Sequence, residues 1–413
     1  METNGLIADS DFDRYEIGQW LSEYYGQPVN LRSCKTSKIG DGQGFTASLY
    51  RLLLDCDNET KPNSFPRSVV LKLPSVATLE DTYRKLMSDN ESDVQDAIAD
   101  HLASFGVECT AYKVLCNHSP IPLPIVYAAR PNEHGKVGAI LMEDLGERAS
   151  TIGDPTCTLP LDMLLEVADV MADWHAWCMT TDGDWKRHFS AADNDQRKQA
   201  YYDKEFKTMK ACFQRVTSNH PNMFDKIDLR MAERIFTLGH ASAMLEKRRK
   251  LLSDVLVHGD FYASNLMFEK KIKDDGTAIT GPNLVAIIDW PLAGQGCNMT
   301  DFATLMSFSV DQTIRREHTV HILRRYYDQL VQKTGLNVVR ASFDQLLRIY
   351  EDQFAMAAIS FVFMLDWWEK LFAGDGAQGQ RKRQILLQRS VGVYEDLLDL
   401  LDRRDGMISA ERL

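Results

Sequence analysis

The chain has 413 residues, 44% hydrophobic and 26% charged, which predicts a soluble globular protein of roughly two to three domains with a sizeable core. Its 47 basic and 59 acidic residues give a formal net charge of -12, so no overall field attracts nucleic acid or anionic lipid. The longest apolar run, 355–365, falls short of the roughly 18 residues that a membrane span needs. These values argue against nucleic-acid and membrane partners.

The N-terminus and the cysteines suggest a cytoplasmic protein. Residues 1–16 carry five carboxylates and no long apolar stretch, which is unlike a signal or transit peptide. The eight cysteines include no Cys-x-x-Cys pair, so the sequence indicates neither a structural zinc site nor a redox dithiol. We therefore expect reduced and mostly buried thiols.

The first third of the chain is typical of strands with one helix. Two β-type runs, 47–54 and 68–73, flank a loop rich in Asn and Pro and predict adjacent antiparallel strands. Carboxylates in 88–100 precede an apolar-periodic segment that ends near Cys116, which predicts a helix through Glu108. A buried strand is predicted at 139–142. The first 142 residues thus predict a small β-rich lobe.

Beyond a predicted hinge at 143–147, the pattern becomes mostly helical. Apolar residues recur every three or four positions from Pro160 to Cys178, and 343–372 and 385–401 have a similar texture. Short strands are predicted at 255–257, 266–268 and 284–288. The predicted fold is therefore α+β, with a β-rich N-terminal lobe at 1–142 and a larger, mostly helical C-terminal lobe at 148–413.

The most informative string runs from His258 through Asp260 to Asn265, and a later β-run ends at Asp289. Phosphoryl transfer needs a carboxylate that orients the attacking hydroxyl and oxygen ligands that hold magnesium against the phosphates. Asp260, Asn265 and Asp289 supply these groups. The alternative is that Asp260 and Asn265 merely cap turns, which both residue types do well.

This string resembles the catalytic motif of aminoglycoside phosphotransferases, choline kinases and protein kinases, and its context is similar to the CHK kinase-like group with its ecdysteroid kinase-like members. The resemblance covers roughly 31–400 and implies a protein-kinase-like two-lobe fold that binds ATP and Mg²⁺. It implies that Asp260 is the catalytic base and that Asn265 and Asp289 are catalytic metal ligands. It also implies that Asp301 holds the catalytic loop structurally and that His258 supports that loop.

Two departures from protein kinases favour a small-molecule substrate. Gly259 stands where those enzymes have Arg before the catalytic Asp, and Trp290-Pro291 follows the metal Asp in place of Phe-Gly. Only eleven residues separate Asp289 from Asp301, and they contain no Ala-Pro-Glu, so no peptide-binding activation loop is indicated. No protein substrate is expected.

A glycine-rich segment directly before the strand predicted at 47–54 is the candidate phosphate-covering loop. Glycines let backbone N–H groups approach phosphate oxygens closely. The glycines concerned are Gly40, Gly42 and Gly44. A common β-turn has a similar composition, but the position before a strand and before Lys72 favours the nucleotide-binding interpretation.

Lys72 lies inside an apolar strand, where a charged residue needs a partner. It resembles the strand lysine that kinases pair with a helix glutamate. Glu108 is the predicted partner and Glu91 the alternative, while an edge-strand lysine pointing to solvent is the structural alternative. Glu143 and Leu145 resemble the hinge whose backbone contacts adenine. All these residues are candidate cofactor-binding positions.

The acceptor pocket is less defined. Trp367 and Trp368, with Asp366 and Glu369, form either an aromatic and acidic wall for a cationic or steroid-like alcohol or simply part of the core. Trp290 and the segment 181–224 are further candidates.

The sequence therefore predicts an ATP- and magnesium-dependent kinase that phosphorylates a small alcohol of ecdysteroid- or sterol-like, choline-like or aminoglycoside-like chemistry. The alternative is a catalytically silent, pseudokinase-type module that binds a nucleotide or another ligand.

Overall fold

The structure is a computed structural model that describes residues 7, 12–40, 47–56, 65–86, 91–116, 119–133, 136–152, 154–181, 185–189, 211–224, 251–273, 275, 277–374 and 376–410. The chain forms two units. Unit 1 comprises Met1–Ser150, Glu269–Thr280 and Val285–Leu292; unit 2 comprises Thr151–Phe268, Gly281–Leu284 and Ala293–Leu413. Unit 1 thus runs past the predicted lobe end and takes in two later segments. The hinge at 143–147 stays a prediction.

Unit 1 contains a five-stranded sheet in the order β1-β2-β3-β5-β4, in which every neighbouring pair is antiparallel. The strands are β1 (Leu31–Ile39), β2 (Ala47–Cys56), β3 (Ser68–Pro74), β4 (Val126–Arg130) and β5 (Ala139–Glu143). The prediction of adjacent antiparallel strands at 47–54 and 68–73 is confirmed. β3 lies at the centre of the sheet and is almost wholly buried, so its one charged residue, Lys72, is buried with it.

The described residues of unit 1 include three α-helices: α1 (Arg14–Tyr25), α2 (Val76–Leu86) and α3 (Glu91–Leu115). α1 begins at a capping box, in which the Asp13 side chain accepts the N–H of Glu16 and the Glu16 side chain accepts the N–H of Asp13. Its apolar face packs with residues of the sheet in one core cluster. α3 ends one residue before Cys116, as predicted.

Two smaller sheets follow, formed by β6 (Ala149–Thr151), β7 (Val255–Val257), β8 (Leu266–Ile272), β9 (Ala278–Ile287) and β10 (Gly294–Gly296). Their orders are β6-β8-β9 and β10-β7. The predicted bounds 266–268 and 284–288 were wrong, because β8 and β9 are longer. The added residues include Glu269 and Lys271. Their charged side chains interrupt the apolar run from which a strand is predicted.

Among its described residues, unit 2 contains the helices α4 (Leu161–Thr180), α5 (Trp185–His188), α6 (Thr300–Ser309), α7 (Gln312–Thr334), α8 (Phe343–Leu371) and α9 (Gly376–Ala410), and 211–219 is also helical. The helices predicted at 160–178, 343–372 and 385–401 are confirmed. α9 begins well before Ile385, because its polar first turns carry no apolar period.

α4 and α7 pack together through apolar side chains and a buried hydrogen bond between His175 and Tyr326. The α+β class, with β-rich and mostly helical parts, is confirmed. Within the described ranges, no helix has the length and apolar character that crossing a membrane requires. All eight cysteines are free thiols, but only four are buried, fewer than predicted.

Candidate functional site

A cluster of three charged residues, two of them buried, lies within unit 1. The ammonium of Lys72 donates to both carboxylate oxygens of Glu108 at 2.8 and 2.7 Å and to Oδ1 of Asp289 at 2.6 Å. Lys72 and Glu108 are only 8% and 1% exposed. The predicted pairing of Lys72 with Glu108 is thus observed, whereas Glu91 pairs with Arg84 at the surface. The cluster joins the central strand β3, the helix α3 and the segment after β9.

The cluster places two carboxylates around one ammonium group. Burial alone lowers the pKa of Lys72, but Asp289 and Glu108 together outweigh it and raise that pKa. Burial raises the pKa of Glu108 to about 7, Lys72 opposes this rise, and the second carboxylate, Asp289, adds to it. Two carboxylates around one ammonium have a net charge of -1 when both are ionised. The site therefore favours the arrival of a further cation.

Asp289 has an unusual backbone conformation. Its φ of 67° makes it the one non-glycine residue with a left-handed φ in the described part of the chain. Such a conformation costs on the order of 1–3 kcal/mol and occurs preferentially at functional sites. The hydroxyl of Tyr112 accepts the Asp289 N–H at 3.2 Å, and the fully buried ring of Trp290 donates its N–H to the Ile287 carbonyl. These neighbours hold the backbone of the segment that carries the Asp289 carboxylate.

A void of about 10 Å³, enough for roughly one water molecule, lies beside this cluster. His101 and Ser104 line it together with Lys72, Glu108 and Asp289. The sequence analysis missed His101 and Ser104. They precede Glu108 by seven and four positions on α3. Because residues at these spacings lie on the same face of a helix, the position of Glu108 could have indicated them from the sequence.

The predicted hinge is tied to the sheet of unit 1. The N–H of Glu143 donates to the Ile125 carbonyl at 2.7 Å, and the carbonyl of buried Leu145 accepts the Arg148 N–H at 3.0 Å. Asp144, between them, pairs with Arg51 at 2.6 Å. Burial raises the pKa of Asp144, but hydrogen bonds from Arg51 and Ser68 outweigh it and lower the value. The adenine contacts of Glu143 and Leu145 stay predictions.

Only the first glycine of the predicted phosphate loop lies in the described chain. Gly40 follows β1 with φ at 71°, a conformation that favours glycine. Gly42 and Gly44 lie outside the described residues. The glycine loop therefore stays a prediction.

The catalytic string predicted from the sequence forms a tightly held loop in unit 2. The carboxylate of buried Asp301 accepts the backbone N–H groups of His258 at 2.8 Å and Gly259 at 3.0 Å. Nδ1 of His258 in turn accepts the Asp260 N–H at 3.2 Å. The Asn265 amide donates to the carbonyl of Asp260 at 2.8 Å and to its Oδ2 at 3.1 Å. The contacts expected of Asp301 and His258 are therefore observed.

This loop presents two oxygen-bearing side chains of different character. The carboxylate of Asp260 is oriented by Asn265, so one of its oxygens is fixed by a hydrogen bond. Because the Asn265 amide nitrogen binds Asp260, the amide oxygen of Asn265 is directed away from that carboxylate. Gly259 adopts a φ of 84°, which explains why glycine rather than a larger residue precedes Asp260.

The contacts of the aromatic and acidic segment on α8 favour its structural interpretation. Asp366 pairs with Arg215 and Lys370, both at 3.0 Å, and Glu369 lies 2.8 Å from His220. Trp368 is 3% exposed and packs edge-on against phenylalanine rings. These carboxylates already have basic partners, so they do not form an open acidic wall.

Comparisons with known proteins point to one family. The model of the DUF1679 family, described as "Uncharacterized oxidoreductase dhs-27", matches residues 31–404. The chain is 24% identical over 366 residues to "Uncharacterized oxidoreductase dhs-27" of Caenorhabditis elegans. That match covers 84% of this chain and 41% of the relative, so the chain spans about two-fifths of the length of the curated relative.

Solved structures of two phosphotransferases are also similar. A putative aminoglycoside phosphotransferase from Ralstonia eutropha is 15% identical with a TM-score of 0.47, and the match covers 93% of this chain and 99% of that chain. Choline kinase from Cryptosporidium parvum is 13% identical with a TM-score of 0.48, and the match covers 94% of this chain and 97% of that chain.

Proposed function

The chain belongs to the DUF1679 family, and we propose that it is an ATP-dependent kinase that transfers the γ-phosphoryl group to a hydroxyl of a small molecule. The observation that carries this proposal is the buried pairing of Lys72 on β3 with Glu108 on α3. In kinases, an ion pair between a strand lysine and a helix glutamate positions the lysine for the nucleotide phosphates. A buried ammonium with two carboxylate partners is costly to maintain for stability alone.

Each candidate residue of unit 1 has a defined role in this proposal. Lys72 binds the α- and β-phosphates, and Glu108 fixes the direction of its ammonium group. The loop with Gly40, Gly42 and Gly44 covers the phosphates, and the backbone at Glu143 and Leu145 contacts the adenine. These groups position ATP and neutralise its charge, which is most of what phosphoryl transfer asks of a protein.

The loop of unit 2 acts on the acceptor. Asp260 orients the attacking hydroxyl, because a carboxylate in a fixed position holds that hydroxyl by a hydrogen bond. It also accepts the proton of the hydroxyl as the O–P bond forms. Asn265 holds one carboxylate oxygen of Asp260 and so keeps it in one rotamer. Asp301 and His258 position this loop and do not contact the reacting atoms in the proposal.

The donor set fits magnesium. The carboxylate of Asp289 and the amide oxygen of Asn265 are hard oxygen ligands of the kind that magnesium prefers. Asp289 is about a third exposed, at 34%, and shares the Lys72 ammonium with Glu108. We propose Asp289 and Asn265 each as a magnesium-ligand residue; magnesium, when bound, would neutralise charge on the transferred phosphoryl group.

Hydride transfer is the other activity that the name of the C. elegans relative raises. Nicotinamide dinucleotides bind at the carboxyl ends of parallel strands, where a glycine-rich turn leads into a helix. The five-stranded sheet of unit 1 is antiparallel throughout, and within the part of the chain that the structure describes none of its strands is paired in parallel. Phosphoryl transfer therefore accounts for the described residues better than oxidation or reduction does.

Transfer of radiolabelled γ-phosphate from ATP tests the proposal. The acceptor panel contains ecdysteroids, other sterols, choline and aminoglycosides, with a generic protein as the control for a protein substrate. We expect labelled small-molecule product that needs magnesium and disappears in Asp260→Asn. Binding of ATP without transfer to any alcohol would favour the pseudokinase alternative, and labelled protein would overturn the choice of a small acceptor.

A further inference from the structure

The loop 258–265 of unit 2 is hydrogen-bonded to both ends of the helix α6. In the first turn of α6, the Asp301 carboxylate accepts the N–H groups of the first two residues of the loop. At the last residue of α6, the hydroxyl oxygen of Ser309 accepts the N–H of Ala263 at 2.8 Å. Asp301 and Ser309 are eight residues apart, which is about 12 Å along a helix axis. The helix therefore holds the loop at two separate points.

The contact of Ser309 lies between the two side chains to which the proposed chemistry is assigned. Ala263 stands between Asp260 and Asn265 in the chain, whereas Asp301 binds residues that precede both. Ser309 and Ala263 are 2% and 5% exposed, so the Ala263 N–H depends on a protein acceptor rather than on water. The Ser309 hydroxyl therefore helps to fix the backbone that joins Asp260 to Asn265.

The C-terminal end of α6 is itself held by neighbouring elements of unit 2. Arg389 on α9, whose side chain is 1% exposed, donates to the Phe308 carbonyl at 2.9 Å. The N–H of Leu159, just before α4, donates to the Ser309 carbonyl at 2.8 Å. The last carbonyls of a helix have no acceptor role within the helix, and these two contacts satisfy them. Ser309 is therefore held in position independently of its contact with the loop.

We propose that Ser309 is a positioning residue, which sets the placement of Asp260 relative to Asn265 through its hydrogen bond with Ala263. It acts through the backbone of the loop and not on the reacting atoms. That this placement governs the rate rests on the proposed function, in which Asp260 accepts the proton of the attacking hydroxyl. A displacement of about 1 Å in such a group can cost about 10²-fold in rate. ATP is assigned to residues of unit 1, so its KM should change little.

Hydrogen exchange of the amides in 260–265 tests the contact without any substrate. Because Ser309→Ala removes the acceptor of the Ala263 N–H, we expect exchange at least about threefold faster than in the unaltered chain. Ser307→Ala is the matched control, since Ser307 is also buried on α6 but its hydroxyl donates to the Ala303 carbonyl within the helix. Equal exchange in the two folded variants overturns the proposal. If Ser309→Ala does not fold, Ser309→Cys replaces it, because a thiol sulfur is a weak acceptor.

Steady-state kinetics tests the consequence for the reaction, with the member of the acceptor panel that the unaltered chain phosphorylates. We expect Ser309→Ala to lower kcat at least about fivefold and to leave the KM for ATP within about twofold, whereas Ser307→Ala changes neither. Equal kcat values for the two variants, or a change confined to KM, would overturn the positioning role. If the unaltered chain transferred no phosphate, the proposed function would fail, yet the exchange experiment would still decide whether Ser309 holds the loop.

Discussion

The two units position their candidate functional residues in different ways. In unit 1, Lys72 is held by ion pairs to Glu108 and Asp289, which come from distant parts of the chain. In unit 2, Asp260 lies on a short loop whose backbone N–H groups bind the buried carboxylate of Asp301. In the arrangement of unit 1, the phosphates of a bound nucleotide could take the place of one of the two carboxylates that contact Lys72. In the arrangement of unit 2, the hydrogen bonds to Asp301 hold the backbone of the loop, and the Asp260 carboxylate is available for chemistry.

This difference predicts where substitutions affect stability and where they affect activity. A buried charge that loses its partner is left uncompensated, so single substitutions in the unit 1 cluster reduce stability as well as binding. The Asp301 carboxylate and the bond from Asn265 to the Asp260 carbonyl hold the loop, and Asp260→Asn keeps a side-chain oxygen for the second bond of Asn265. Substitution of Asp260 should therefore affect chemistry alone.

The largest expected effect is that of Asp260→Asn. Loss of the proton-accepting carboxylate should lower the rate of phosphoryl transfer by about 10²- to 10⁴-fold, while the midpoint of thermal unfolding stays unchanged. Transfer of labelled phosphate and calorimetry measure the two quantities. Asp275→Asn, at a carboxylate that accepts the Thr277 N–H on the exposed β8–β9 hairpin, is the control. Equal rates for the two variants would remove Asp260 from the chemistry.

Lys72→Met should have the next largest effect. It leaves Glu108 and Asp289 without their ammonium, and we expect a loss of about 3–5 kcal/mol in the free energy of unfolding together with loss of ATP binding. The double variant Lys72→Met/Glu108→Leu removes the uncompensated charge on α3. It should recover most of the stability but none of the ATP binding, as measured by urea unfolding and calorimetry. Recovery of ATP binding would refute the role of Lys72.

Asp301→Asn should give a moderate effect in unit 2. The amide accepts fewer strong hydrogen bonds than the carboxylate, so we expect the free energy of unfolding to fall by about 1–3 kcal/mol. Because Asp301 acts by positioning the loop, transfer should slow without a change in its pH profile, whereas ATP affinity should stay the same. An altered pH profile would instead indicate that Asp301 takes part in proton transfer.

The sequence predicted those residues of the site that lie in short, recognisable sequence motifs. Asp260, Asn265 and Asp289 stand next to short apolar strands, and Lys72 interrupts an apolar run, so each gave a local signal. The contact of Lys72 with Asp289 and the hydrogen bond of Tyr112 were not predicted, because both depend on how β3, α3 and the end of β9 pack. The full length of β9 was missed for another reason: the stretch 280–283, Thr-Gly-Pro-Asn, breaks the apolar pattern and has the composition of a turn.

The last expected effect is absent at neutral pH, appears only in acid, and concerns His175, a packing residue of unit 2. Burial lowers the pKa of His175 to about 3, from the ordinary value of 6.5. Between these values the unfolded chain binds a proton that the folded chain does not, so the free energy of unfolding falls as the pH drops below 6.5. The slope from this residue is at most about 1.4 kcal/mol per pH unit.

His175→Gln checks this pH dependence, because it removes the titrating group and keeps an acceptor for the Tyr326 hydroxyl. Urea unfolding at several pH values from 4 to 8 should give a shallower acid slope for the variant than for the unaltered chain. Parallel curves would contradict neutral burial of His175.

Calorimetric titration with ATP tests the central claim most directly. The account predicts that ATP binds with a dissociation constant below about 1 mM when magnesium is present and more weakly without it. It also predicts that the folded Lys72→Met/Glu108→Leu protein binds no ATP. Absence of binding to the unaltered chain, or equal binding to both proteins, would contradict the assignment of Lys72, Glu108 and Asp289 to a nucleotide site.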